Sequence, residues 1–164
     1  MGTYNHIEYG RDLTLKMKLF EHQADKAFHQ SPNSDTLRSI SDRLSDIDHP
    51  VLVAIDGKDS DFEDNQAEVL MEKPQYFFMI LMPALSDDSA DIMSKQAECK
   101  ANALQIIAKL MSDKSNYRNG LEALLPDSFM IRSIGPIGLD LFGVVLSFNT
   151  EDGANYQINN DYWR

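Results

Sequence analysis

The stretch from residue 50 to residue 150 constrains the fold most, because two groups of apolar, strand-like segments flank one long amphipathic helical pattern. A helix with one apolar stripe must bury that stripe, and the hydrophobic face of a sheet supplies the matching surface. The order strands–helix–strands therefore predicts an α+β fold, with a single, mainly antiparallel sheet of four to five strands and helices packed on one face.

The N-terminal region predicts two helices. Over residues 4–29, apolar side chains recur every three or four positions and so share one helical face. The members of this stripe are Tyr9, Leu13, Met17, Phe20, Ala24 and Phe28. Turn-forming residues follow, and a second helix is predicted over residues 35–48, with Ser34 or Asp35 as its N-cap.

Short apolar runs between turn residues predict the strands of the sheet. Val51–Ile55 is rich in β-branched residues, and a further strand is expected around residues 67–72. Residues 56–65 are acidic and are expected to form a turn or an exposed loop. Residues 76–82 are apolar on both alternating faces, so this strand should be covered on both sides or should meet another subunit.

One long helix is predicted over residues 88–112, with Lys109 and Lys114 near its C-terminal end, where positive charge is favourable. Two strands are predicted after it, over residues 129–134 and 139–149. The segment between them contains glycine and proline, which predicts an antiparallel hairpin. One face of the second strand carries large apolar side chains: Phe142, Val144, Leu146 and Phe148.

Length and charge limit the classes of function. The 164 residues suffice for a single domain, made of a helical part (4–48), the sheet and long helix (50–150) and a polar, aromatic tail (151–164). The formal net charge of -11, with no basic patch to offset it, predicts that the chain binds neither nucleic acid nor membrane directly. The single cysteine, Cys99, suits a reducing compartment, and the N-terminus does not resemble a signal peptide, so we expect a cytoplasmic protein.

No pattern of residues points to catalysis or to a metal. Counting from Asp56 or from Asp59, the acidic segment fails the EF-hand pattern, because neither the glycine nor the final acid falls at its required position. The four histidines lack the spacing of a transition-metal site and are expected at the surface. Neither a serine elbow nor a phosphate-binding glycine loop occurs. We therefore expect no catalytic residue, no cofactor and no metal, and predict that the chain is not an enzyme.

The C-terminal segment, residues 151–164, is mainly polar but contains three aromatic residues. The aromatic residues are Tyr156, Tyr162 and Trp163. Tyrosine and tryptophan are favoured at interfaces because they bury a large apolar surface while keeping a polar atom for hydrogen bonding. These residues either fold back on the sheet or anchor a partner, and they are the candidate interface residues of the chain.

The order of elements carries a resemblance to a known family. Its parts are the first helix with residues 26–29 near its end, the strands at Val51–Ile55 and 76–82, the long helix, the closing strand at 142–149 and the aromatic residues at 161–163. This order resembles tail-terminator or tail-completion proteins of long-tailed phages and, more narrowly, small uncharacterised proteins encoded in prophages of Bacteroidetes. The resemblance implies a subunit that assembles into a ring, often a hexamer, that caps the tail tube. It implies self-association, contact with other phage tail proteins and assembly into a virion, but no catalytic residue.

Two other functions stay open from the residues alone. A small enzyme would use scattered acids and His49 in a concave pocket with shifted carboxyl pKa values. An acidic adaptor or inhibitor that binds a basic partner would align its carboxylates on one face. A ring subunit would instead associate with its own copies through sheet edges, strand faces or the aromatic tail.

Overall fold

The computed structural model describes residues 2–21, 24–57, 59–67, 69–154 and 157–163, and they form an α+β fold, as predicted. The described helices are α1 (His6–Lys16), α2 (Ala24–Ala27), α3 (Leu37–Arg43) and α4 (Ser89–Ser115), with 3₁₀ turns at Lys18–Phe20, Leu121–Ala123 and Asn160–Tyr162. The strands are β1 (Phe28–Ser31), β2 (Val51–Ile55), β3 (Ser60–Asp64), β4 (Leu70–Pro83), β5 (Leu124–Ile137), β6 (Leu141–Thr150) and β7 (Asp152–Gly153).

These strands form one seven-stranded sheet, whose main path runs in the order β1–β2–β4–β6–β5. Strand β1 lies parallel to β2 and every other described pairing is antiparallel, so the mainly antiparallel character is confirmed. Strands β3 and β7 pair with the first half of β4 and lie off the main path. They extend the sheet beyond the four to five strands that the sequence predicts.

The prediction of one helix over residues 4–29 is wrong, because α1 ends at Lys16. Met17 leaves the helical conformation with a ψ of 134°, and Phe28–Ser31 forms a strand. This strand pairs with β2 along its whole length, from Phe28 opposite Leu52 onwards. The edge of β2 offers backbone groups that need partners, and their pairing outweighs the helical spacing of the apolar side chains.

Helix α3 is shorter than the helix predicted over residues 35–48. Its N-cap is Thr36, whose Oγ1 accepts a hydrogen bond from the backbone N–H of Ser39 at 3.1 Å. Asp35, one of the predicted caps, instead accepts a hydrogen bond from the Arg43 guanidinium at 2.7 Å. With 7 residues, α3 is too short to cover the whole face of the sheet against which it packs.

The acidic segment predicted as a loop contains the strand β3, which pairs with the first half of β4. The two strands predicted at residues 67–72 and 76–82 are parts of β4, which is continuous over 14 residues. Pro74 is tolerated inside β4 because it falls between Glu72, the last residue paired with β7, and Gln75, the first paired with β6. On the edge of β4 that pairs with β7 and β6, no hydrogen bond between strands therefore needs the N–H that proline lacks.

Helices cover both faces of the sheet, so the prediction that they all pack on one face is wrong. Helices α1 and α4 cover the face that carries Phe78 and Ile80 of β4. Helix α3 packs through Ile40 on part of the other face, against Met79 and Leu81. It belongs to the crossover between the parallel strands β1 and β2, and such a crossover must pass over one face of the sheet. Strand β4 is central, which its pattern did not predict, and its residues 78–82 are buried, as expected for a strand covered on both sides.

The long helix and the closing hairpin are present as predicted, but β5 runs from Leu124 to Ile137 and so extends beyond the predicted residues 129–134 at both ends. Helix α4 begins after Asp88, whose Oδ1 accepts hydrogen bonds from the backbone N–H groups of Ala90 and Asp91 at 3.0 and 3.1 Å. Cys99 is buried in the core, as expected. In β6, a Cβ at Gly143 would overlap the carbonyl oxygen of Ile80, so only glycine allows β6 to lie this close to β4.

Candidate functional site

An apolar groove stays open on the face of the sheet that α3 covers only in part. It has a volume of about 230 Å³, and its lining is mostly apolar but includes two polar residues, Asn33 and Asp35. The apolar residues of the lining are Pro32, Leu37, Ile40, Ile55, Phe77, Met79 and Val145. Phe77 forms its floor, lying opposite Ile55 on β2 and opposite Ser147 on β6. Leu37, at the start of α3, is 56% exposed. Apolar surface that stays accessible in this way is typical of a binding surface.

Charged residues and one further apolar residue, Met130, surround this apolar groove. Met130 of β5 continues the row of Phe77, because it lies opposite Ser147, and it is 46% exposed. Arg132 lies opposite Val145, so it shares the same face of the sheet. On the α3 side, Arg43 and Asp35 form an ion pair with an N–O distance of 2.7 Å. The groove therefore has an apolar floor and a charged rim, as protein interfaces commonly do.

The aromatic tail, defined here as residues 157–163, exposes the two predicted interface residues that the structure describes. Tyr162 is 84% exposed and Trp163 is 70% exposed. Ile158, nearby in sequence, is 79% exposed. The third predicted interface residue, Tyr156, lies outside the described residues. The sequence left open whether the tail folds back on the sheet or anchors a partner. The side chains of Ile158, Tyr162 and Trp163 do not fold back on the sheet, because all three are exposed.

Within the described residues, the main path of the sheet ends in two edge strands, β1 and β5. Strand β5 is 14 residues long and most of its side chains are at least partly accessible. In an edge strand, alternate backbone N–H and C=O groups point away from the sheet and can pair with another strand. The Nε2 of Gln96 donates a hydrogen bond to the carbonyl oxygen of Ile134 at 3.2 Å, which satisfies one such backbone group.

A second concave region, the N-terminal cleft, lies where residues 2–4 pass the ends of β4 and β6. Its volume is about 410 Å³. Its lining combines two aromatic rings with three carboxylates, from Tyr4, Tyr76, Glu72, Glu122 and Asp152, and contains no lysine or arginine among the described residues. Such a lining favours a cation over an anion.

His6 lies beside this cleft and is buried, which contradicts the expectation that the histidines lie at the surface; His22 lies outside the described residues. The carbonyl oxygen of Phe77 accepts a hydrogen bond from Nε2 at 2.8 Å, so Nε2 carries the proton. The other nitrogen, Nδ1, accepts from the Tyr4 hydroxyl at 2.8 Å. Burial lowers the pKa of His6 to about 4, and its ring stacks on Phe78 with centroids 4.1 Å apart. The neutral ring therefore orients Tyr4 and has no free nitrogen for proton transfer.

Sequence reasoning missed a buried carboxylate, Asp113, which is only 2% exposed. Its oxygens accept hydrogen bonds from the Tyr9 hydroxyl at 2.7 Å, from Lys109 Nζ at 2.7 Å and from Asn119 Nδ2 at 3.1 Å. Burial alone would raise the pKa of Asp113, but these hydrogen bonds outweigh it and hold the pKa below its ordinary value. The network ties α1 to the end of α4. Asp113 follows the buried Leu110 by three residues, and this place in the apolar stripe was the signal that could have revealed it.

The carboxylates of the acidic segment are divided between the two faces of the extension formed by β3, β4 and β7. Asp61 lies opposite Lys73, and Lys73 forms ion pairs with Glu63 and, at 3.2 Å, with Glu151. The intervening side chains, including Asp64, alternate to the other face. Across the described ranges, no group of three or more His, Cys, Asp or Glu residues is placed to hold a metal ion.

Comparison with protein-family models and with curated proteins found no match for this chain. None of the helices in the described part of the chain is long and apolar enough to cross a membrane. Four surface features of the described residues could bind a ligand or a partner: the apolar groove, the aromatic tail, the edge strand β5 and the N-terminal cleft.

Proposed function

We propose that this protein is a non-enzymatic assembly subunit of prophage origin that associates with its own copies into a ring, as tail-terminator proteins do. The observation that carries the proposal is the long edge strand β5. Soluble monomers usually shorten, charge or cover such an edge. In β5 the two prolines, Pro126 and Pro136, and two shifts of register lie near the ends, and the middle segment, Met130–Ile134, pairs regularly with β6 and carries Arg132 as its one charged residue.

A ring needs two different surfaces on each subunit, because a contact between unlike patches repeats around an axis until it closes. Strands β1 and β5 lie at opposite ends of the main path of the sheet, so they face away from one another. The apolar groove and the aromatic tail are a second pair of unlike surfaces on one chain. The net charge of -11 would give the ring an acidic surface that repels DNA.

The test is the molar mass in solution, measured by light scattering across a concentration series, with electron microscopy of negatively stained particles. We expect the mass to rise to a fixed multiple of the chain mass and the particles to be closed rings. Met130→Lys places a charge on the free edge and should reduce assembly, whereas Leu139→Lys, which alters a more exposed residue in the β5–β6 connection, should not. A chain that stays monomeric at every concentration and forms no ring contradicts the proposal.

The acidic extension favours one alternative, an adaptor that binds a basic protein. Phe62 of β3 is 57% exposed, and accessible carboxylates lie next to it in sequence, Asp61 and Glu63 on the opposite face of the strand and Asp64 on the same face. An adaptor would remain a monomer or dimer and bind a basic partner with an affinity that falls steeply with added salt. The division of the carboxylates between two faces fits this alternative less well than a single aligned acidic face would.

A further inference from the structure

We propose that the apolar groove receives the aromatic tail of a second copy of this chain, an inference that rests on the proposed ring assembly. The groove is the part of the α3 face that α3 does not reach, and Phe77 and Ile55 remain half-buried there. A volume of about 230 Å³ is that of roughly eight water molecules and is enough for a large aromatic side chain. The occupant must therefore bring an accessible aromatic or aliphatic group.

The chain itself carries such a group. Ile158, Tyr162 and Trp163 are all at least 70% exposed, although each has a large apolar surface that favours burial. Together they can bury on the order of 500 Å² of their own surface. One of these side chains fills the groove and the others must pack on the surface around it, which includes the exposed Met130, for the contact to approach about 1,000 Å², the lower limit for a specific interface. A ring in which every tail fills the neighbouring groove repeats this contact at each subunit boundary.

Charge complementarity supports the same pairing. Arg132 is exposed beside the groove, on the same face as Val145. Asp161 lies within the 3₁₀ turn next to Tyr162, so a tail docked through Tyr162 carries a carboxylate that can pair with the Arg132 guanidinium. An exposed ion pair of this kind contributes little free energy but helps to orient the tail.

The occupant is a second copy because the tail of the same chain starts at the far end of β4 and leaves the groove open. The backbone N–H of Ala154 bonds to the carbonyl oxygen of Leu70, at the far end of β4. Phe77 lies seven residues further along β4, roughly 23 Å away at the rise of a strand. The nine residues that follow Ala154, up to Trp163, could span about 30 Å when extended, so the tail is long enough to approach this groove, yet Tyr162 and Trp163 are exposed to solvent in the folded chain and are not seated in it.

Trp163 is the only tryptophan of the chain, so the full-length Trp163→Ala variant contains none. A synthetic peptide of residues 157–164, added to this variant, then carries the only indole in the mixture. We expect its fluorescence to shift to shorter wavelength and to saturate as the indole enters the groove. No shift at any concentration of the variant overturns the inference.

A second substitution locates the binding site of the peptide. Leu37→Asp, added to Trp163→Ala, changes an exposed residue at the lip of the groove, where an acid suits the first turn of α3. It should weaken peptide binding at least about tenfold, because the tail would have to bury a carboxylate. The matched control is Leu104→Asp, at an exposed position on α4, across the sheet from the groove, which should leave binding unchanged. Equal binding by both double variants overturns the inference.

The unaltered chain shows whose tail fills the groove. We expect its tryptophan emission to shift to shorter wavelength as the chain concentration rises, together with the molar mass. Emission that is short-wavelength and independent of concentration means that each tail fills its own groove, and overturns the inference. Rings whose tryptophan stays solvent-exposed also overturn it but leave the proposed function standing. A monomer that nevertheless binds the peptide refutes the ring and keeps the groove as the peptide's site.

Discussion

Replacing Asp113 by alanine should remove the strongest polar connection between α1 and α4. The substitution leaves the hydroxyl of Tyr9 without its acceptor at 2.7 Å, and the ammonium of Lys109 without either carboxylate oxygen. A buried hydroxyl that loses its partner costs about 1–3 kcal/mol, and hydrogen bonds to a charged group contribute about 1.5–3 kcal/mol. Lys109 is 41% exposed and can return to water, which limits its share. We therefore expect Asp113→Ala to lower the free energy of unfolding by about 3 kcal/mol.

Two further variants separate the parts of this loss. Tyr9→Phe removes the hydroxyl but leaves Asp113 paired with Lys109 and Asn119, so it should cost about 1 kcal/mol. Asp113→Asn keeps the size of the side chain and removes the charge. Its loss of unfolding free energy should therefore lie between the losses of Tyr9→Phe and Asp113→Ala. The measurement is urea-induced unfolding of each variant at neutral pH, followed by far-ultraviolet circular dichroism.

The pH dependence gives an independent check. Because the pKa of Asp113 is lower in the folded chain than in the unfolded chain, its carboxylate stabilises the fold above the unfolded pKa. That contribution is lost as the pH falls through the folded pKa. The difference in unfolding free energy between the unaltered chain and Asp113→Asn should therefore shrink on acidification. An Asp113→Ala variant as stable as the unaltered chain, or a difference that does not change with pH, would refute this account of the network.

Three other predictions concern single positions or segments. Gly143→Ala should lower the unfolding free energy by about 3 kcal/mol or prevent folding, whereas Gly153→Ala, where an added Cβ meets no atom within 4 Å, should leave it unchanged in the same urea titration. Burial raises the pKa of the Cys99 thiol to about 12, so a thiol reagent should label it only as fast as the chain unfolds; rapid labelling of the folded chain would contradict its burial. Deletion of residues 155–164 should keep the fold but lower the molar mass at high concentration, and unchanged assembly would show that the tail is no interface.

Of the candidate site, local sequence could indicate only the residues that stand out from their neighbours. Tyr162 and Trp163 are aromatic residues in a polar segment, and the structure leaves both exposed. The apolar groove was not predictable, because its lining comes from α3, β2, β4 and β6 and exists only because α3 is short. Asp113 was missed for a related reason: its partner Tyr9 is 104 residues away in sequence.

Elements with a strong local signal were determined by the sequence itself. Val51–Ile55 has the bounds predicted from its β-branched residues, and α4 follows from a long apolar stripe behind a capping aspartate. The pattern of residues 76–82 likewise predicted a strand, and residues 78–82 of it are buried.

Only the tertiary structure decided what the segments with weak or conflicting signals became. Phe28–Ser31 has helical spacing but forms a strand, because the edge of β2 needs backbone partners that no local helix can provide. The acidic residues of β3 become a strand for the same reason, through their pairing with β4. Hydrophobic periodicity is a property of neighbouring residues and can be read along the chain. Strand pairing and the area that a short helix leaves uncovered depend on distant residues, so they appear only when the chain has folded.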